Sequence, residues 1–217
     1  MRRHISLVLN AALLVAMLAA CSPSQQQSVP VRYSDFGPQP AREMPRIPVV
    51  LQVANVSAPE WLDTNGIPYR MLYSEPMTVY TYASTRWVAA PNTMLTIRLK
   101  HAIGSGAGVV GATDSVRTGC VLRVALEDFG HVFDGPQASR VTIRARASLV
   151  SNDGKGLLSQ KTFSIDRAAV TADVNGAVNA LGAGADALIG DVMAWLAATF
   201  DAGSPAGQAA IKLCKGN

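Results

Sequence analysis

The chain has 217 residues, 49% of them hydrophobic, 16% charged and 6% aromatic, which fits one ordinary globular domain and excludes intrinsic disorder. The formal charge of +4 includes Arg2 and Arg3 at the extreme N-terminus, and without them it falls to about +2, too weak for a nucleic-acid footprint. Three His and three Cys, with no C-x-x-C or H-E-x-x-H spacing, cannot build a structural zinc site, so neither a metal nor another cofactor is expected.

Residues 1–20 read as a secretory leader. Met1-Arg2-Arg3-His4 is positive, the following stretch to Ala16 is nearly all apolar, and Leu18-Ala19-Ala20 is small and cleavable. The apolar run is too short to span comfortably a hydrocarbon core of about 30 Å. Leu18-Ala19-Ala20-Cys21 resembles the bacterial lipobox, in which the Cys21 thiol receives a diacylglyceryl group, the leader is cut before it, and the freed amine is acylated. Each buried methylene contributes about 0.8 kcal/mol, so three acyl chains on Cys21 hold a protein at a membrane. Ser22 follows where, in the sorting system this resembles, an Asp would favour the inner membrane; the expected location is therefore the outer membrane, facing the periplasm.

Residues 21–45, with Pro23, Gln25, Gln26, Gln27, Pro30, Pro38, Pro40 and Pro45, offer little to bury and read as a flexible tether. As a coil of that length it has a root-mean-square span of about 27 Å. The folded domain is expected over residues 46–200. Ile47, Val49, Leu51 and Val53 predict an inner strand that starts late because of Pro48. Gly66 marks a turn before a strand over 67–73, and Pro76 separates this from a second strand over 78–83, the two suited to a hairpin. Pro91 suits a first helical position, Leu95, Leu99, Ala102 and Ile103 share one face, and Gly104 suits the stop, which predicts a helix over 91–103. A glycine-rich connector follows.

Leu122, Val124 and Leu126 alternate with Arg123, Ala125 and Glu127, which predicts a half-exposed strand. In 140–150, Val141, Ile143, Ala145, Ala147 and Leu149 point inward while Thr142, Arg144, Arg146 and Ser148 face water. Asn152-Asp153-Gly154 marks a turn, and 158–165 the return strand of an antiparallel hairpin. Val174, Val178, Leu181, Ala185, Leu188, Val192 and Leu196 recur at three- and four-residue steps, predicting an amphipathic helix over 173–200. Its glycines, Gly176, Gly182, Gly184 and Gly190, each weaken it by about 1 kcal/mol relative to Ala, so close packing must compensate. Residues 201–217 are left as a C-terminal tail. The fold class is α+β: a mixed, mostly antiparallel sheet with two main helices on one face.

Pro59-Glu60-Trp61-Leu62-Asp63 with Ile67-Pro68-Tyr69-Arg70, then Arg86-Trp87, then Leu126-Glu127-Asp128-Phe129 with Phe133-Asp134, Phe163 and Ala194-Trp195-Leu196, resemble in order and spacing the ABC-type transport auxiliary lipoproteins, the family of PqiC and YmbA. The resemblance covers about residues 46–198. The acidic residue and proline that the family often places soon after Arg-Trp are replaced here by Val88-Ala89-Ala90-Pro91, without an acid. The resemblance implies a non-enzymatic partner of transporters that carry MCE proteins and move phospholipid between membranes, with a homo-oligomer left open. It also makes Trp61, Tyr69, Arg70, Arg86 and Trp87 candidates for partner binding. A structural lipoprotein that assists another envelope complex is the alternative.

Catalytic chemistry has little to draw on. A serine hydrolase needs a base, and beyond the leader only His101 and His131 are available; no G-x-S-x-G occurs. His101 falls in the last turn of the predicted helix and is expected at the surface. His131 follows Gly130 near a predicted strand end. Glu127 and Asp128, adjacent in a strand, should face opposite ways, which disfavours a shared acid and base. Gly104-Ser105-Gly106-Ala107-Gly108 follows a helix and lacks Gly-Lys-Ser/Thr, so it reads as a connector and not a phosphate loop. No catalytic residue is assigned. With Cys21 lipidated, Cys120 and Cys214 remain as an even pair in an oxidising compartment: either a disulfide ties the tail to the sheet, or one thiol is buried and the other exposed. Trp61, Tyr69, Tyr73, Tyr80, Tyr82 and Trp87 gather in one third of the chain, about half of them expected in the core.

Overall fold

The computed structural model describes residues 29–40, 43–106, 108–111, 118–153 and 156–215; the expected leader, Cys21 with the tether to residue 28, Ala107 and Gly154 lie outside these. From Val31 onward the described residues belong to one compact unit. Its centre is a meander of three long antiparallel strands, β6 (Cys120–Gly135), β7 (Ala138–Ser151) and β8 (Leu157–Ala168). The inward residues Val141, Ile143, Ala145, Ala147 and Leu149 are wholly buried, as their alternation predicts. Each large aliphatic side chain buried this way contributes roughly 1.5–3 kcal/mol.

The second edge of β6 carries two short parallel partners end to end. β2 (Leu51–Val53) takes its first half and β3 (Gly66–Met71) its second half, with Tyr69 opposite His131 and Met71 opposite Phe133. β5 (Val109–Gly111) extends the sheet beyond β2. β4 (Glu75–Trp87) returns antiparallel to β3, giving the expected hairpin, and β1 (Arg32–Ser34) adds in parallel to its last residues. The sheet is therefore mixed and mostly antiparallel.

Among the described residues three helices complete the α+β fold: α1 (Pro91–Gly106), α2 (Val174–Thr199) and α3 (Pro205–Lys215). On α1 the predicted face Leu95, Leu99, Ala102 and Ile103 is buried. α2 is capped by Asp173, whose carboxylate accepts from the Gly176 N–H at 2.8 Å, and closed by Phe200. It is long and apolar enough to cross a bilayer, yet it packs its apolar face on the sheet. A Cβ on Gly184 would meet Ile143 Cδ1 at 2.8 Å, and one on Gly182 would meet the Phe36 carbonyl at 2.9 Å. The small residues thus let the helix approach the sheet and the N-terminal segment, which offsets their weak helix propensity. Arg98 on α1 ties these layers together: its buried guanidinium donates to Asp186 of α2 at 2.5 Å and to the Phe36 and Gly37 carbonyls.

Several expectations need correction. The packed region begins before residue 46: β1 and the buried Phe36 come from the stretch read as tether, where three strand residues and one lone aromatic leave no periodic trace. The inner strand does start late, at Leu51, as Pro48, with no N–H to give a ladder, leads one to expect. β4 runs seven residues longer than the predicted 78–83, with Pro76 inside it. The helix expected to stop at Gly104 continues to Gly106, whose carbonyl accepts from Ile47 N–H at 3.2 Å. The supposed tail contains α3, started by Ser204, whose hydroxyl accepts from Gly207 N–H at 3.0 Å, and by Pro205 at the first helical position.

Candidate functional site

The aromatic third of the chain converges where β3 and β4 meet the second half of β6. A register shift between Leu126 and Asp128 inserts one extra residue into β6 and reverses its phase. Leu122, Val124 and Leu126 face the helices before it; Phe129 does so after it. The parallel pairing then sets His131 beside Tyr69. Tyr69 stacks on Tyr80 at 5.3 Å and lies 4.6 Å from Tyr82, and the rings of His131 and Phe133 are 4.4 Å apart.

His131 is not near a strand end but inside β6, and it is 1% exposed. Burial pushes its imidazole down to about 4, only slightly opposed by the Asp173 carboxylate at the start of α2. Burial likewise raises the Tyr82 phenol, with Tyr69 and Asp173 adding to the shift. Both groups are neutral at pH 7 and lie 2.8 Å apart, so we assign the phenol O–H as donor to Nδ1, which puts the imidazole hydrogen on the buried Nε2, an atom without a hydrogen-bond partner. The basic lone pair is thereby occupied. His131 holds the sheet together at this point and has nothing free with which to take a proton from a substrate.

Across the same strands a shallow cleft is lined by Trp61, Pro68, Tyr69, Arg70, Val79, Asp128, His131 and Thr142. Its free volume of about 30 Å³ is that of a single water, far below a ligand pocket of a few hundred Å³. Asp128 accepts from the Thr142 hydroxyl at 2.8 Å, while Glu127 pairs with Arg146 at 3.3 Å. Thr142 and Arg146 both point away from the helices. Glu127 and Asp128 therefore share the outer face instead of dividing between the two, because the bulge falls between Leu126 and Asp128. Each is already engaged.

Of the five partner-binding candidates, the structure brings Trp61, Tyr69 and Arg70 together around this cleft. Trp61 is 49% exposed. Arg86 is half-buried and donates to the Tyr82 and Thr85 carbonyls. Trp87 must be withdrawn: it is fully buried, edge-on to Phe36 at 5.5 Å and to Phe129 at 6.0 Å, because β4 has turned its side chain into the core. Sequence reading also missed His131 as a member of the cluster, since only the parallel β3–β6 pairing joins residues so far apart. His101 is exposed on α1. Cys120 and Cys214 are bonded, their Cα atoms 4.8 Å apart. Among the described residues no group of three or more His, Cys, Asp or Glu is placed to hold a metal ion.

The profile of the ABC-type transport auxiliary lipoprotein component matches residues 35–193, most of the chain and nearly all of the packed domain. The chain belongs to this family. No curated protein sequence matches it. The crystal structure of protein XCC0632 from Xanthomonas campestris, of the DUF330 family, is similar with a TM-score of 0.63 at 19% identity, over 78% of this chain and 92% of that one. A second crystal structure, of an uncharacterized protein, is similar with a TM-score of 0.57 at 17% identity, over 77% and 99% of the two chains. At such identities the likeness speaks for the fold alone. For this auxiliary lipoprotein, the family assigns a part in transport and an association with the cell envelope.

Proposed function

We propose that this auxiliary lipoprotein is a non-enzymatic component of an MCE-type ABC system moving phospholipid between membranes, anchored in the outer membrane through Cys21 and facing the periplasm. The observation that carries the reading is the family match over residues 35–193; the Leu18-Ala19-Ala20-Cys21 lipobox supports the anchor. The chemistry of the domain is consistent with binding and not turnover. Its buried imidazole is spoken for, the cleft beside it admits only a water, and its carboxylates pair internally. Trp61 and Arg70, accessible on the outer face of the sheet, are the side chains we assign to the transporter contact.

Cross-linking in intact cells followed by affinity capture from detergent extract tests this. An MCE-family or ABC transporter component is expected in the captured material, reduced at least tenfold by Trp61→Ala with Arg70→Ala. Repeated capture of other envelope proteins alone would favour a structural lipoprotein instead.

A further inference from the structure

Exposed apolar side chains gather at one end of the sheet. β3 and β4 are joined there by a turn in which Leu72 is 40% and Tyr73 49% exposed, and Met77 just beyond it is 93% exposed. The parallel pairing of β3 with β6 sets this turn beside the C-terminal end of β6, where Leu72 N–H donates to the Phe133 carbonyl at 2.9 Å. β8 ends at the same side, with Ala168 opposite Arg140, and Val170 just beyond it is 97% exposed. Residues 72–79 carry a single charge, Glu75, whose carboxylate accepts from the Tyr80 hydroxyl.

Exposure alone does not single out this end, because Val50, Leu157 and Leu213 are exposed at the other. The course of the chain does. β1 lies parallel to β4 with Arg32 opposite Thr85 and Ser34 opposite Trp87, so the backbone traced backward from Arg32 heads toward lower numbers on β4, that is, toward the β3–β4 turn. The Arg32 guanidinium fixes this exit by donating to Asn175 Oδ1, near the start of α2, at 2.8 Å. Cys21 precedes Arg32 by eleven residues, an extended reach of about 36 Å. Met77 precedes Thr85 by eight, or about 27 Å along the strand. A lipid on Cys21 can therefore lie level with the turn, with slack to spare, and the direction of the exit leads away from the opposite end of the long strands.

We propose that the β3–β4 turn is a membrane-docking surface: Leu72, Tyr73 and Met77 enter the head-group region of the bilayer that holds the acyl chains on Cys21. This rests on the lipidation proposed above. The occupant is a lipid surface: an amphipathic Tyr beside Leu and Met suits the boundary between head groups and acyl chains, and the low charge makes the contact apolar and insensitive to salt. Docked in this way, the domain stands with α3 and the Cys120–Cys214 bond turned away from the membrane.

The test uses the lipidated full chain in vesicles of phosphatidylethanolamine and phosphatidylglycerol, with a nitroxide on Met77→Cys or, at the opposite end, on Gln208→Cys. Flotation reads the anchor, and collision with oxygen against a water-soluble nickel complex reads depth. The expected result is that both variants float, that the label at position 77 favours oxygen at least fivefold over the label at 208, and that 0.5 M salt leaves this unchanged. A floating protein whose label at 77 is as open to nickel as that at 208 overturns the docking while leaving the anchor intact. Equal lipid exposure at both positions also overturns it, and failure to float removes the anchor and the docking together.

Discussion

Replacing Cys120 and Cys214 together with Ala will lower the unfolding free energy by about 4–5 kcal/mol, the chain-entropy value for a bond that closes a loop of 94 residues. The loss should be concentrated at one end of the molecule. α3 fully buries only Gly207 and Cys214, so apart from the disulfide it is held by the partly buried Ala210 and Ile211 against the core and by the hydrogen bond from Gly119 N–H to the Cys214 carbonyl at 3.1 Å. Both cysteines are nearly inaccessible, at 0% and 1% exposed, so the native bond should resist mild reductant. Amide exchange in the double variant is expected to rise across Pro205–Lys215 while β6 and β7 stay protected. A denaturant-unfolding difference below 1 kcal/mol, or an α3 that exchanges as slowly as before, would contradict this role.

The second large effect is pH-dependent and belongs to His131. Its imidazole titrates near 4 in the folded chain, against an ordinary value of 6.5. Above pH 6.5 both states are neutral and stability does not depend on this group. Between 6.5 and 4 the unfolded chain takes up a proton that the buried ring refuses, so stability falls as pH falls, by roughly 3 kcal/mol in all. His131→Phe keeps the ring volume and removes the proton site, at the cost of leaving the Tyr82 hydroxyl without its partner. The variant is expected to be less stable at pH 7 but to lose less between pH 6.5 and 4 than the parent. Unfolding curves for the two proteins at half-unit steps check this, and parallel pH profiles would show that His131 does not carry the dependence.

What the sequence reveals of this molecule follows from how local each signal is. The inward row of β7 and the apolar face of α2 can be read because alternation, or a three- to four-residue step, acts within a few residues. β1 has three residues, too few for a period, and the single Phe36 between Asp35 and Gly37 gives no hint that it fills the space beside Trp87. The bulge in β6 is equally silent: one inserted residue reverses the face of everything after it, which moved Asp128 onto the outer surface with Glu127 and His131 under the sheet. α3 did carry a readable signal in Ser204-Pro205, overlooked because the helix after it buries so little. Of the partner-binding candidates, Trp61 and Arg70 reach a common surface, whereas Trp87 shows that an aromatic's residue type alone does not separate core from interface.

Anchoring at Cys21 underlies both the transport role and the membrane-docked turn, and the mass of the mature N-terminal peptide from cell membranes tests it most directly. A lipoprotein of this kind predicts a chain that begins at Cys21 and carries the added mass of a diacylglyceryl group and an amide-linked acyl chain. A water-soluble chain with an unmodified Cys21, recovered from healthy cells, would contradict it.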